Sequence, residues 1–179
     1  MTIPIKINGK KYRVTPICEL TTAEFITASA IPDCDHVKYI AWQTGRSVDD
    51  AFFAVTSKTV ENAIGAFPDI TKLPRSRNWD YSRTISTIGQ RHQVESSGVK
   101  GYDLLVFCLA VAMARSNNID EVNRLRDAYM QQPAYEILPA GFFFYKKYGN
   151  GSNSGQEFLK KLSNLIKILR KRKLPEYTN

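Results

Sequence analysis

Two histidines and three cysteines are the side chains of this 179-residue sequence that could carry nucleophilic or metal chemistry. His36 and His92 lie far apart in sequence, and neither stands in an HxxxH spacing or near a cysteine at a zinc-finger interval. His92 follows Arg91, and a neighbouring cation disfavours the protonated form of a histidine, which weakens it as a general base. We therefore expect no metal site and no catalytic residue, and we keep a hydrolase that uses His36 or His92 as an alternative.

The cysteines Cys18, Cys34 and Cys108 are odd in number and form no CxxC pair, which favours reduced thiols in a cytosolic compartment over a disulfide scaffold. Cys108 lies in the apolar run from Leu104 to Ala114, where a thiol is expected to stay protonated and inert. That run of 11 residues is too short to cross a bilayer, which needs about 20, so it predicts a buried helix and no membrane partner.

Acidic pairs and glycines offer no further chemistry. The pairs stand at predicted helix starts, where carboxylates favour the positive end of the helix dipole, and none has calcium-loop spacing. Gly149 and Gly151 lack the GK[ST] ending of a phosphate-binding loop, so no cofactor is expected. The three acidic pairs are Asp33/Asp35, Asp49/Asp50 and Asp120/Glu121.

The net charge of +8 is concentrated in two segments. Residues 72–91 carry a net charge of +4 and residues 155–179 a net charge of +5, while the rest of the chain is nearly balanced. Both segments are candidates for binding acidic partners.

The first residues predict a β-hairpin. Ile3, Ile5 and Ile7 alternate with other residues before Asn8-Gly9, which is the preferred dipeptide of a two-residue type I′ turn. The turn pairs Ile7 with Lys10, Ile5 with Tyr12 and Ile3 with Val14, which places the apolar side chains on one face. Because a lone hairpin is marginal in water, this face covers either the helical core of its own chain or a partner.

Helix-start and helix-stop signals dominate the residues that follow. Thr21 and Glu24 match a capping box, and Pro32 stops the helix that they begin. The segment from Thr84 to Ser97 is either a helix or irregular. The other predicted helices run from Asp33 or Asp35 to Gly45, from Ser47 with Ala51, Phe52 and Val55, from Thr56 to Phe67, from Tyr102 to Arg115, from Asp120 to a stop before Pro133, and from Tyr135 to Tyr148.

Residues 68–83 predict an exposed loop and a candidate internal boundary, because two prolines and several arginines interrupt the helical pattern. Arginines interleaved with aromatic residues suit three interpretations: a protein interface, an ordinary structured loop, and a contact with single-stranded nucleic acid. The candidate partner-binding residues of this loop are Arg75, Arg77, Trp79, Tyr81 and Arg83, and Tyr12 of the hairpin joins them.

The C-terminal segment predicts a tethered helix. Residues 149–155 have the composition of a flexible linker, and residues 156–179 predict a basic amphipathic helix and tail. The helix could pack on its own domain, dock in a partner or a second copy, or lie on an anionic surface. Its candidate binding residues are Phe158, Leu162, Leu165, Leu169 and Arg170. The predicted fold is mainly α with a short N-terminal β-hairpin (α+β), with residues 1–148 forming the hairpin and helical domain.

Three stretches carry a family resemblance. The opening IKINGKKYRVTPICELTTAEFI and the later TIGQRHQVESSGVKGYDLLVFCLAVAM and ILPAGFFFYKKYG resemble short tail-module proteins of double-stranded DNA bacteriophages. The type includes tail assembly chaperones and baseplate or hub-associated proteins. The resemblance implies no catalysis, binding to other tail or baseplate proteins, and a location in the host-cell cytoplasm during assembly or in the virion. It assigns no role to an individual residue.

The predicted function is therefore non-catalytic phage morphogenesis, as a structural subunit or assembly chaperone that binds other tail or baseplate proteins and can self-associate through its C-terminal helix. The alternative from the two basic segments is a nucleic-acid-binding accessory protein, whose binding should weaken steeply with salt.

Overall fold

The computed structural model describes residues 2–31, 35–54, 58–74 and 78–149. Over these residues the chain is mainly helical and begins with a two-stranded antiparallel hairpin, as predicted. Gly149, the first residue of the predicted linker, ends the last described helix; the rest of the linker and the C-terminal helix lie outside the described residues and stay predictions. The elements are β1 (Ile3–Ile7), β2 (Lys10–Val14), α1 (Thr22–Ser29), α2 (His36–Thr44), α3 (Val48–Ala54), α4 (Lys58–Ile64), α5 (Ile88–Ser96), α6 (Gly101–Met113), α7 (Ile119–Met130) and α8 (Ala134–Gly149), with 3-10 turns at Ile17–Glu19 and Ile70–Lys72.

The hairpin has the predicted register, with Ile3 opposite Val14, Ile5 opposite Tyr12 and Ile7 opposite Lys10. Asn8 and Gly9 both have positive φ, 49° and 80°, as a type I′ turn requires. On β1 and β2, which pack against α3 and α2, the side chains of Ile5, Ile7 and Val14 are buried and those of Ile3 and Tyr12 are partly buried. Of the two alternatives for this face, the structure therefore shows the first: it covers the core of its own chain.

Hydrogen bonds fasten the hairpin to the helices beneath it. The Tyr39 hydroxyl donates to the carbonyl of Thr15 at 2.6 Å, and the Asn8 amide donates to the Asp50 carboxylate at 2.7 Å. Tyr39 is itself buried, and the loss of solvation raises the pKa of its hydroxyl. The turn and the strand end are thus bound to α3 and α2 respectively.

Local capping explains where the helices begin and end. Thr21 and Glu24 form the predicted capping box, and Asp35 accepts from the Lys38 amide at the start of α2. Gly45 ends α2 with a φ of 63°, a left-handed conformation that suits glycine. Thr87 forms a second capping box with Gln90, so the segment from Thr84 to Ser97, which the sequence leaves open, contains a helix.

Helix α6 is the centre of the described core. Its residues from Leu105 to Ala112 are all buried, and it packs against α5, α7 and most extensively α8. The approach to α8 is close at Gly141, because a Cβ atom built there would lie 2.4 Å from the carbonyl oxygen of Leu105. Glycine is therefore the residue that this helix crossing accommodates.

A short pairing joins the start of α1 to the start of α8. The Thr22 amide and hydroxyl both donate to the carbonyl of Gln132, at 2.8 and 2.9 Å, and the Ala134 amide donates to the carbonyl of Leu20 at 3.0 Å. Thr22 is fully buried, so these bonds satisfy polar groups that water cannot reach. They connect segments 110 residues apart in sequence.

Candidate partner-binding surfaces

Segment 78–83 is an irregular loop, as predicted, and Asn78, Asp80 and Ser82 are exposed. Its aromatic residues face the core, which corrects the prediction for Trp79 and Tyr81. Trp79 meets the ring of Tyr129 edge-on with centroids 5.2 Å apart. Tyr81 stacks on Phe144 at 5.9 Å and meets Phe143 edge-on at 5.0 Å. Both aromatic side chains are half-buried, because their rings pack against apolar side chains of α7 and α8, and this burial of apolar surface is favourable.

Two cations hold this segment in place. The Lys147 ammonium, in the last turn of α8, donates to the carbonyls of Tyr81, Ser82 and Arg83 at 3.2–3.5 Å. The Arg83 guanidinium donates to the carbonyl of Met113 at 2.8 Å, at the end of α6. The segment that the sequence marks as a candidate boundary is therefore bound to α6, α7 and α8.

A shallow cleft of about 560 Å³ opens beside this segment. Arg83 reaches it from the segment, Arg115 from the connection between α6 and α7, and Arg124 from α7. We call it the arginine cleft after these three residues. Its remaining lining residues are Asn78, Trp79, Asp80, Met113, Glu121 and Leu125.

The two carboxylates of the arginine cleft are already engaged. Hydrogen bonds from Ser82 hold the pKa of Asp80 below its usual range, and Arg83 lowers it further. The Ser116 hydroxyl and the backbone amide of Arg115 likewise lower the pKa of Glu121. These carboxylates therefore stay ionised while they stabilise local turns.

The three arginines of the cleft differ in whether their guanidinium groups already have bonding partners. Arg83 is half-buried and bonded to the Met113 carbonyl, whereas Arg115 and Arg124 are exposed. Within the described part of the chain, neither the Arg115 nor the Arg124 guanidinium forms a hydrogen bond or a close ion pair. The positive charge of Arg124 makes a small electrostatic contribution to the lowered pKa of Glu121. Two guanidinium groups are thus available to a ligand.

A second candidate surface lies on α3. Phe52 and Phe53 are 63% and 76% exposed, their rings meet edge-on at 5.8 Å, and Val48 one turn earlier is 48% exposed. We call these three residues the α3 aromatic surface. The sequence predicts a helix here with Ala51 and Phe52 among its apolar residues, and the structure separates the two: Ala51 is buried and Phe52 points away from the core.

The angle between successive residues of a helix could have predicted this surface from the sequence. Adjacent residues of a helix point about 100° apart, so Ala51, Phe52 and Phe53 cannot all face one side. The small residue faces the hairpin and α2, where backbones approach closely, and the two large rings face outward.

Tyr12, the candidate on the hairpin, already contacts another residue of its own chain. Arg46 Nε donates to the Tyr12 hydroxyl at 2.6 Å, and the guanidinium carbon lies 5.3 Å from the ring centroid. The remaining candidates lie outside the described residues, and their roles stay predictions: Arg75, Arg77, Phe158, Leu162, Leu165, Leu169 and Arg170.

No family model, curated protein or solved structure matches this chain. The resemblance to phage tail-module proteins therefore stays a prediction, and the geometry of the described residues carries the functional argument.

Two of the side chains that could carry chemistry, His36 and Cys108, are engaged in the fold or buried by it. His36 Nε2 lies 2.9 Å from the carbonyl oxygen of Gly65, which ties α2 to the end of α4. Cys108 is fully buried in α6, and burial raises the pKa of its thiol far above the usual range. Across residues 2–31, 35–54, 58–74 and 78–149 there is no cluster of three potential metal ligands. The same residues contain no helix long and apolar enough to span a membrane.

Cysteine labelling should separate the two described thiols. We expect N-ethylmaleimide to modify the exposed Cys18 in the native protein and to leave Cys108 unmodified until the core opens, because the reactive species is the thiolate. Peptide mass spectrometry after timed quenching measures both rates. Equal rates in native buffer would contradict the buried position of Cys108.

Proposed function

We propose that this protein acts without catalysis by binding other proteins in the assembly of a phage tail or baseplate, as a structural subunit or an assembly chaperone. The α3 aromatic surface is the observation that carries the proposal. The phage context comes from the sequence resemblance, and the binding role comes from the exposed rings.

Exposed phenylalanines are informative because burying them against a partner is favourable. A fully buried phenylalanine side chain contributes roughly 1.5–3 kcal/mol relative to an exposed one. Phe52 and Phe53 forgo most of that contribution in the isolated chain, since they are 63% and 76% exposed. Apolar side chains grouped on one surface in this way are typical of interaction sites.

The supporting structure makes the surface suitable for recognition. Helix α3 packs on β1 and α2, and the bond from Asn8 to Asp50 fixes its first turn to the hairpin. A surface held in this way loses little conformational freedom on binding, which favours affinity. Asp49, exposed beside Val48, adds a negative charge. The expected partner surface is therefore an apolar groove with basic residues at its rim.

Replacing both rings tests the proposal. We expect the double variant Phe52→Ser/Phe53→Ser to lose capture of purified tail and baseplate proteins encoded beside this chain, by at least about 10-fold in affinity. Capture and affinity are measured by affinity co-purification followed by biolayer interferometry. The control is Ile88→Ser, which removes a side chain that is 88% exposed on another helix.

The control should bind as the unmodified protein does, and both variants should unfold at nearly the same temperature because none of the three replaced side chains contributes to the core. Full partner binding by the double variant would refute a role for the α3 aromatic surface. If the unmodified protein binds none of the tail or baseplate proteins, the proposed function itself fails.

A nucleic-acid-binding accessory role remains the alternative proposal, and it rests on the two basic segments of the sequence, residues 72–91 and 155–179. Basic side chains concentrated in this way can contact phosphates. Binding of single-stranded DNA that weakens steeply between low and physiological salt would support it.

A further inference from the structure

We infer that the arginine cleft binds a carboxylate-bearing segment of a partner protein, with acidic side chains at the guanidinium groups and aliphatic side chains on the cleft floor. The inference rests on the proposed function in one respect only, namely that the partner is a protein. It adds a second site and the chemistry of what binds there.

The arginine cleft concentrates positive charge that is free to bind a ligand. Arg115, in the connection between α6 and α7, and Arg124, on α7, line the same cleft, so the fold brings together two cations that the sequence separates. Their guanidinium groups are exposed and are not bonded to other described residues. A guanidinium presents a planar set of donors that matches a carboxylate in a two-point contact, and such charge-assisted bonds are among the stronger ones in proteins.

The resident carboxylates leave the Arg115 and Arg124 guanidinium groups unpaired. Glu121 accepts from the Ser116 hydroxyl and from the backbone amides of residues 115 and 116. Asp80 accepts from Ser82 and forms an ion pair with Arg83 at 3.5 Å. Both therefore stabilise their own turns. An incoming carboxylate would meet guanidinium groups that still have donors to offer.

The aromatic and acidic residues around the cleft favour a peptide over a nucleic acid. Bases of single-stranded nucleic acid stack on exposed aromatic faces, but Tyr81 lies against Phe143 and Phe144, and Trp79 lies against Tyr129. Asp80 and Glu121 also stand in the cleft, where they would repel a continuous run of phosphates. A peptide can place its few carboxylates at the arginines and avoid the resident acids.

The cleft floor favours a segment that is apolar as well as acidic. Trp79, Met113 and Leu125 line the cleft beside the arginines. The indole N–H of Trp79 is moreover a buried donor that has no hydrogen-bond acceptor among the described residues. A small movement of the lining side chains would let a peptide carbonyl or carboxylate oxygen accept from it.

A direct binding experiment on the full chain tests this inference. The probe is a fluorescein-labelled hexapeptide of glutamate and leucine, and its affinity is measured by fluorescence anisotropy at low salt. We expect the double variant Arg115→Gln/Arg124→Gln to bind it at least about 10-fold more weakly. The matched control, Arg13→Gln/Arg91→Gln, makes the same change in net charge at exposed positions that do not line the cleft, and we expect less than about a twofold effect.

Two results would overturn the inference. One is an equal loss of affinity in the cleft variant and the control, because the peptide would then respond only to net charge. The other is a single-stranded oligonucleotide that binds the unmodified protein more tightly than the peptide does and loses more affinity in the cleft variant. Thermal unfolding of both variants confirms that each is folded.

The partner-capture assay separates the two proposals. If the α3 variant loses its partner while the cleft variant binds the peptide normally, the proposed function stands and the cleft inference fails. If the cleft variant loses the peptide but no tail or baseplate protein is captured by any form, the cleft binds acidic segments and the assembly role fails.

Discussion

Gly141→Ala should lower the unfolding temperature by about 6–12 °C, since the variant loses roughly 3 kcal/mol and each kcal/mol shifts the transition of a chain this long by about 2–4 °C. The added methyl would lie 2.4 Å from the carbonyl oxygen of Leu105 and 2.7 Å from its carbonyl carbon. Both atoms belong to the backbone of α6 and cannot rotate away. Helices α6 and α8 would have to separate at the centre of the core, which loosens the surrounding side chains.

Gly89→Ala is the matched control, because it makes the same chemical change in a helix. A Cβ atom there would meet the side chain of Asn117 at 3.0 Å, and that side chain can move. The higher helix propensity of alanine then offsets the contact, so we expect a change within about 1 kcal/mol of zero. Differential scanning calorimetry of both variants measures the contrast. Equal stabilities would mean that α6 and α8 do not approach each other as closely as the structure shows.

Tyr81→Ala should destabilise the protein by about 2–3 kcal/mol, even though sequence alone places this residue in an exposed loop. The substitution removes a ring that stacks on Phe144 and contacts Phe143, and it leaves a space beside the end of α8. The carbonyls of this segment that accept from Lys147 would also lose their support. Chemical denaturation with urea gives the free energy of unfolding.

Tyr135→Ala controls for the loss of a tyrosine from the surface, because its side chain is 50% exposed at the start of α8. We expect a change of at most about 0.5 kcal/mol there. If both tyrosine variants were equally stable, segment 78–83 would be the exposed loop that its composition indicates. The pair thus tests the largest difference between the sequence prediction and the structure.

The sequence predicted those features of the fold that depend on near neighbours in the chain. The hairpin register follows from Asn8-Gly9 and the alternation of isoleucines, and the ends of α1 and α2 follow from Thr21, Asp35 and Gly45. In each case the decisive contact spans only a few residues. The second capping box, at Thr87 and Gln90, carried the same kind of signal and was not used.

Features that depend on contacts between residues far apart in the chain could not be predicted from the sequence. Segment 78–83 looks exposed because its composition is polar, yet Tyr81 finds its ring partners more than 60 residues away on α8. Likewise, Arg115 and Arg124 lie in a stretch whose charges balance, so composition gave no reason to single them out. Only the packing of α6 and α7 against segment 78–83 brings them beside Arg83.

The pairing of Thr22 with Gln132 also sets an order of events during synthesis. Its two halves are 110 residues apart, so at about 5–20 residues per second the first half waits roughly 5–20 s for the second to be translated. Until then the nascent chain keeps the polar groups of Thr22 hydrated and the inner face of α1 uncovered. A ribosome that stalls before α8 would therefore leave an incomplete chain whose apolar surface is open to proteases and to aggregation.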